Sequence, residues 1–271
     1  RILPALLAAI TLTVFVLGPA FTGAPLAQYF SSRETWLYLA KGLTLFDGVA
    51  YTLPGVFDAN PYPQAVNGSL WTLPYEVRMY ALLATLWVVL GVLGARRERL
   101  VRGAIVAAAV ASGALLLLLH FTSDQPRHFV RLFFMFYSGA ALWVLKGRVK
   151  LSGRFALFAG VLLAFSTAHR DLFFVVYALL LPYLLMCAAF LPRGWIRRYN
   201  AAGDYSYGLY VYAFPIQQAA VALVPGIGPW GLIFASGALT LVSAVASWHL
   251  IEQPAMRLRR RRETAGQLSP A

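Results

Sequence analysis

The apolar residues of this chain come in blocks too long for a water-soluble core. Blocks run over roughly 2–22, 73–95, 103–121, 129–146, 155–169, 171–192, 205–224 and 229–251. Crossing the hydrocarbon layer takes about 20 residues at about 1.5 Å each, so blocks of this size predict membrane-spanning helices. The apolar positions fill these blocks and do not form one stripe of an amphipathic helix. Composition agrees: of 271 residues, 60% are hydrophobic and 12% charged, the latter about half the share in a soluble domain. The expected fold is all-α, a polytopic membrane helix bundle of about eight transmembrane helices. Residues 1–256 are expected to form one membrane domain, and 257–271 a basic, disordered cytoplasmic tail. The segment 23–72 is too polar and too rich in Pro and Gly to span. It reads as an outer-face loop with a short interfacial helix near Thr35–Leu45. The lone Cys187 excludes a disulfide within the chain.

Basic residues give the orientation. Arg1 precedes the first block. Arg96, Arg97, Arg99 and Arg102 follow the second, and Lys146, Arg148, Lys150 and Arg154 follow the fourth. Arg193, Arg197 and Arg198 follow the sixth, and Arg257 with Arg259–Arg262 follows the eighth. In an eight-span path all of these fall on one side, which the positive-inside rule makes cytoplasmic. Both ends are then cytoplasmic, as for a multi-pass protein of the bacterial inner membrane. The net charge of +13 is explained by this topology and by anionic lipid head groups, with no need of nucleic acid. The chain opens on Arg with no signal peptide ahead of its first span, so the expectation is an N-terminally truncated sequence.

The stretch NGSLWTLPYEVRMY, from Asn67, carries the densest chemistry. Thr72 is suited to cap the helix that follows, Pro74 is tolerated in its first turn, and Trp71 fits interface depth. Glu76 is harder to explain structurally, because a carboxylate in the apolar slab costs roughly 2.5 kcal/mol or more at depth. Such residues usually face a polar cavity. Arg78 diverges from Glu76 on a helix, whereas Tyr80, four residues on, is its neighbour.

Three stretches together resemble one family. NGSLWTLPYEVRMY looks like the Asn-Gly-Ser-Leu-Trp-Thr/Ser-Leu-x-x-Glu element of the bacterial acyltransferase-3 family of integral membrane sugar O-acyltransferases. GDYSYGLYVYAFPIQQ, from Gly203, resembles its late Ser-Tyr-x-x-Tyr helix with a following proline. HLIEQPAMRLRRR, from His249, is similar to its final helix, which runs through an acidic residue and a proline into a basic tail. The Arg-Ile-Leu-Pro at Arg1 looks like the end of an Arg-x-x-Arg-Ile-x-Pro element. The resemblance implies a ten-helix domain, of which this chain would lack the first two helices. It implies transfer of an acyl group, typically acetyl, from acyl-CoA as co-substrate to a hydroxyl of a carbohydrate or glycolipid, with no bound cofactor. The family's catalytic His lies on the first helix and has no counterpart here.

On that reading Glu76 is the candidate catalytic residue, and Asn67, Ser69, Trp71 and Tyr80 form the acceptor side. Arg1, Tyr205, Ser206, Tyr207 and Tyr210 form the acyl-CoA side. An aromatic interface belt explains the tyrosines equally well, and topology alone explains Arg1. His120, His128 and His169 sit at outer helix ends, and His249 near the cytoplasmic end of the last block with Glu252; none is favoured for catalysis. No metal-ligand spacing is visible. Two other classes stay open: a transporter or flippase of a lipid-linked sugar, for which intramembrane polar residues are as natural, and a non-catalytic membrane subunit. The topology is directly testable. Reporters fused after Arg99, Gly147, Gly194 or Arg262 are expected to signal cytoplasm, and reporters at Pro61 or Gly226 the outer side. A cytoplasmic signal at Pro61 overturns the span assignment.

Overall fold

The computed structural model describes residues 2–45, 47–91, 97–123, 128–194 and 203–258. Arg1 and most of the basic tail lie outside the described residues. All regular structure among those described is helical, apart from one isolated bridge between Thr22 and Val56. Every apolar block of the sequence contains a helix. In chain order these are α1 (Ile2–Leu12), a π turn (Thr13–Leu17), α2 (Gly18–Phe21), α3 (Leu26–Ser31), α4 (Arg33–Thr44), a 3-10 turn (Gly68–Thr72) and α5 (Leu73–Val89). There follow α6 (Arg97–Thr122), α7 (His128–Val144), α8 (Gly153–Ser166), α9 (Arg170–Phe190), α10 (Ser206–Leu223), α11 (Pro229–Ser247) and a second π turn (Trp248–Glu252).

Four stretches among the described residues are long and apolar enough to cross a membrane: Ile2–Phe21, Glu98–Thr122, Arg170–Phe190 and Pro229–Leu258. They mark a multi-pass membrane protein, and large apolar side chains that stay uncovered agree: Phe165 is 77% and Phe234 72% exposed, as lipid-facing residues are. The expected count of eight is not reached by length and apolarity alone. His128–Val144 and Gly153–Ser166 are apolar but shorter. At 14 residues α8 reaches only about 21 Å of the roughly 30 Å hydrocarbon thickness. Helix α5 carries Glu76 and Arg78, and α10 carries three tyrosines and two adjacent glutamines, which dilute both.

The chain divides into two compact units. The first comprises Arg1–Pro74 and Tyr199–Ala271, the second Tyr75–Arg198.

In the first unit α1 packs on α4, and α10 on α11. The α10–α11 contact is close because Gly208 has no side chain: a Cβ there would stand 2.7 Å from the Ala244 Cα. Small residues allow such backbone approach in membrane bundles. Along the first span the π turn shifts the hydrogen-bond ladder by one residue, so Gly18 N–H reaches back five residues to Thr13 O. The next position, Pro19, has no N–H with which to continue that ladder to Val14 O. The buried Tyr29 fills the gap, its hydroxyl donating to Val14 O at 2.8 Å. Helix α4 begins at Ser32, whose Oγ accepts from Glu34 N–H, and ends at Leu45 in a left-handed cap. It occupies the place expected for an interfacial helix.

In the second unit α6 pairs with α7 and α8 with α9, and α9 also touches α6 and α7. Val101, Ile105, Ala109, Tyr137 and Ala141 bury one seam, and Leu116, Phe134 and Ala178 another. The Tyr183 hydroxyl accepts from Ser152 N–H at 2.9 Å and donates to Lys150 O at 3.1 Å, fixing the approach to α8.

The Tyr29 bond sets a stability test. Tyr29→Phe keeps the ring and leaves the Val14 carbonyl without its donor, so a loss of about 1–3 kcal/mol is expected. Thermal unfolding in detergent measures it, and an unchanged midpoint contradicts the assignment.

Candidate functional site

Two places in the first unit gather polar groups on apolar helices. The first is where the loop ahead of α5 meets α10. Pro215 in the middle of α10 cannot donate to Val211 O, four residues back. Asn67 supplies the missing donor: its Nδ2 reaches Val211 O at 2.9 Å, while its Oδ1 accepts from Ser69 N–H at 3.2 Å and so caps the 3-10 turn. Asn67 is 2% exposed. Capping therefore begins at Asn67, and the turn runs directly into α5. Thr72 has another partner: its hydroxyl lies 2.8 Å from the Tyr210 hydroxyl. Tyr210 donates its one phenolic proton to Ser69 O, so Thr72 is the donor of that pair. Gly68 sits flat on the ring of Phe214, where a Cβ would stand 2.8 Å from Cε2.

One and two turns further along α10, Gln218 holds the rest of the loop. Its Nε2 donates to Tyr62 O at 2.8 Å and Ala65 O at 2.6 Å. Asn60 Nδ2 donates to Gln218 Oε1 at 3.1 Å and to Gln218 O at 2.9 Å.

The second place is a cavity of about 390 Å³ walled by the first span, α10 and the end of α11. Both π turns contribute, through Thr13, Val16 and Leu17 on one side and Leu250 and Ile251 on the other. π turns inside α-helices are frequent at functional sites. Tyr212, Ser243 and Ser247 give the apolar wall hydroxyl groups. Behind Ser247 lies Glu252, which is 0% exposed. Ser247 Oγ donates to Glu252 Oε1 at 3.2 Å, and Tyr212 interacts with Ser247 and with the Glu252 carboxyl. A carboxyl so far from water marks a functional site by default in a membrane protein. The arrangement can hand a proton from a cavity-facing hydroxyl to a buried carboxylate. The sequence reading considered Glu252 only as the neighbour of His249 near the end of the last block; in the structure it sits at the end of the second π turn, buried.

The remaining predicted residues fall as follows. Ser69 and Trp71 are half-buried in the 3-10 turn. Glu76 belongs to the second unit and is half-buried in the first turn of α5. Beside it, the Tyr75 ring lies 6.1 Å from Phe129 and 5.9 Å from the Arg78 guanidinium carbon. Tyr80, the expected neighbour of Glu76, is 52% exposed and stands edge-on to Phe136 at 5.5 Å. Tyr205 packs edge-on to Trp248 at 6.4 Å and lies 6.2 Å from His249. Ser206 is exposed, and its N–H and Oγ both donate to Asp204 Oδ1 at the start of α10. The Tyr207 ring is buried, 6.4 Å from that of Tyr210. Among the other histidines, His120 joins Asp171 at 2.9 Å and stacks on Phe174 at 3.9 Å. Among the described residues no group of three or more His, Cys, Asp or Glu could hold a metal ion. Arg1 lies outside the described residues.

Sequence reasoning missed Asn60, Gln218, Ser247, Tyr212 and the burial of Glu252. The one local signal was polarity out of place, namely an adjacent glutamine pair within one apolar block and a glutamate directly after another.

No family model matches the chain, and no solved structure matches it. It is similar to Nodulation protein 10 of Rhizobium leguminosarum bv. viciae, with 28% identity over 288 aligned positions that cover 96% of this chain and 74% of that protein.

The Asn67 bond yields a coupled test. Asn67→Leu is expected to cost about 1–3 kcal/mol of unfolding free energy, since it leaves a buried carbonyl without its donor. Pro215→Ala returns an N–H to the Val211 carbonyl, so in that background the same change is expected to cost markedly less. A double-mutant cycle on detergent-solubilised protein reads the coupling, and strict additivity refutes the assignment.

Proposed function

We propose that the chain is a membrane O-acyltransferase domain of the acyltransferase-3 kind, moving an acetyl or similar short acyl group from acyl-CoA to a hydroxyl of a carbohydrate or glycolipid. The observation that supports this most is the Ser247–Glu252 pair, with Tyr212 beside it, at a hydroxyl-lined cavity between helices. Acyl transfer to an alcohol needs a base for the incoming hydroxyl and stabilisation of the tetrahedral oxyanion. The acceptor oxygen attacks the thioester carbonyl as its proton passes to the base. The C–S bond then breaks, and the CoA thiolate leaves and is protonated. Glu76 and Glu252 are the two carboxyls offered for proton handling. Ser69, Trp71 and Tyr80 are proposed for the acceptor side. Arg1, Tyr205, Ser206, Tyr207 and Tyr210 are proposed for the donor side. Asn67 is assigned to positioning, because both ends of its amide hold the turn on α10.

The proposal includes eight spans, with α5, α7, α8 and α10 crossing as well, in a bacterial inner membrane with the C-terminus cytoplasmic. Short or polar helices cross where neighbouring helices cover them. The similar rhizobial protein is named for nodulation, and that setting is extended to this chain as part of the proposal.

The test uses the complete reading frame in membranes, with labelled acyl-CoA and a glycan acceptor. Glu252→Gln and Glu76→Gln are each expected to lower acylation on the order of 100-fold at normal abundance. Arg78→Gln is expected to be milder. If Glu76 served only the helix dipole, its loss would amount to about 0.3–1 kcal/mol. Near wild-type acylation by both Gln variants removes the catalytic reading.

A further inference from the structure

A groove of about 1080 Å³ in the second unit lies apart from the candidate site, between the start of α6 and the end of α7. Its lining is divided. Arg99, Arg102, Lys146 and Arg148 gather at one end, with Glu98 as the one carboxylate among the lining residues. Val106, Ala107, Val110 and Val144 form the rest of the wall. From Arg99 to Val110 the α6 surface covers about 16 Å along the axis. A groove with cations at one end and a bare apolar strip beneath them complements an amphiphile with an anionic head and a hydrocarbon tail.

We infer that this groove is a binding site for an anionic phospholipid, the head-group phosphate lying among the four cations and an acyl chain along Val106 and Val110. Basic pockets between transmembrane helices hold acidic lipid heads in this way. Two details fit. Arg102 is tied to Glu98 within the groove, which holds its guanidinium at the rim. Lys146 lies 4.3 Å from the centre of the Trp143 ring, a cation–π contact that keeps the ammonium at the interface. Trp143 itself is 54% exposed and stands beside the groove, next to the lining residues Val144 and Lys146, which puts its ring within quenching range of a lipid bound there. A soluble phosphate ester would use the cations and leave the apolar strip empty.

The contact between Lys146 and Trp143 provides the readout. The protein is placed in phosphatidylcholine nanodiscs containing dibrominated phosphatidylglycerol or, at equal mole fraction, dibrominated phosphatidylcholine. The Trp143 share of the fluorescence is taken as the difference from Trp143→Phe. That share is expected to be quenched several-fold more by the brominated anionic lipid. Neutralising the cations with Arg99→Gln, Arg102→Gln, Lys146→Gln and Arg148→Gln together is expected to abolish the preference. Because that variant risks misfolding, Glu98→Gln serves as a second: it removes the opposing charge and is expected to raise the preference about twofold. Millimolar inorganic pyrophosphate is expected not to relieve the quenching. Equal quenching by the two lipids, or no rise with Glu98→Gln, overturns the proposal. Displacement by pyrophosphate also overturns it and assigns the cations to a soluble phosphate.

Discussion

The hydrogen bond from Asn67 to the Val211 carbonyl supplies the donor that Pro215 removes from α10. In hydrocarbon no water stands ready to take a carbonyl that a proline has freed. Pro19 and Pro215 each create such a vacancy in an apolar helix. Both are filled by side chains from the polar segment between the first span and α5, Tyr29 in one case and Asn67 in the other. That segment is therefore not a loop hung outside a finished bundle. Its Asn and Tyr contacts complete the hydrogen bonding of the helices, and the helices in turn give an otherwise polar and Gly-rich segment one conformation. Gln218 extends the same logic, fastening the Tyr62 and Ala65 carbonyls to α10.

This dependence explains which parts of the structure were legible in the sequence. Long apolar runs report a local property, and each of them became a helix. The short helix at Arg33–Thr44, expected near Thr35–Leu45, was readable from its mixed pattern; its Ser32 cap is seen only in the structure. Pairings were not readable, since Asn67 and Val211 stand 144 residues apart and Asn60 and Gln218 158. Thr72 shows the limit of local rules. A threonine ahead of a proline-led helix is a good cap on paper, yet a 3-10 turn already occupies that place, and the hydroxyl meets Tyr210. Length and composition qualify fewer than the expected eight spans among the described residues for a related reason. Apolarity was judged by block, whereas α8 is too short and α10 too polar to qualify by length and composition.

The candidate chemistry was half legible. Glu76 stood out because a charge at the mouth of an apolar run is expensive wherever it lies. Glu252 did not, because the sequence places it near prolines and arginines, where a helix end exposed to water is the ordinary outcome. Only the π turn reverses this: one extra residue in the turn changes which side chains face inward, and Glu252 joins Ser247 and Tyr212 inside. A pattern based on a period of 3.6 residues has no means of anticipating such a shift.

The two π turns also bear on how a buried carboxyl can be useful. A carboxyl enclosed by apolar side chains alone would have no neighbour with which to exchange a proton. Glu252 is not so enclosed: Ser247 donates a hydrogen bond to its Oε1, and Tyr212 interacts with both. Ser247 and Tyr212 also line the cavity, so the two side chains link the cavity to the carboxyl through one hydrogen bond. The cavity wall is apolar at Leu12, Val16, Ile216 and Leu250, and the hydroxyls of Tyr212, Ser243 and Ser247 are set into it.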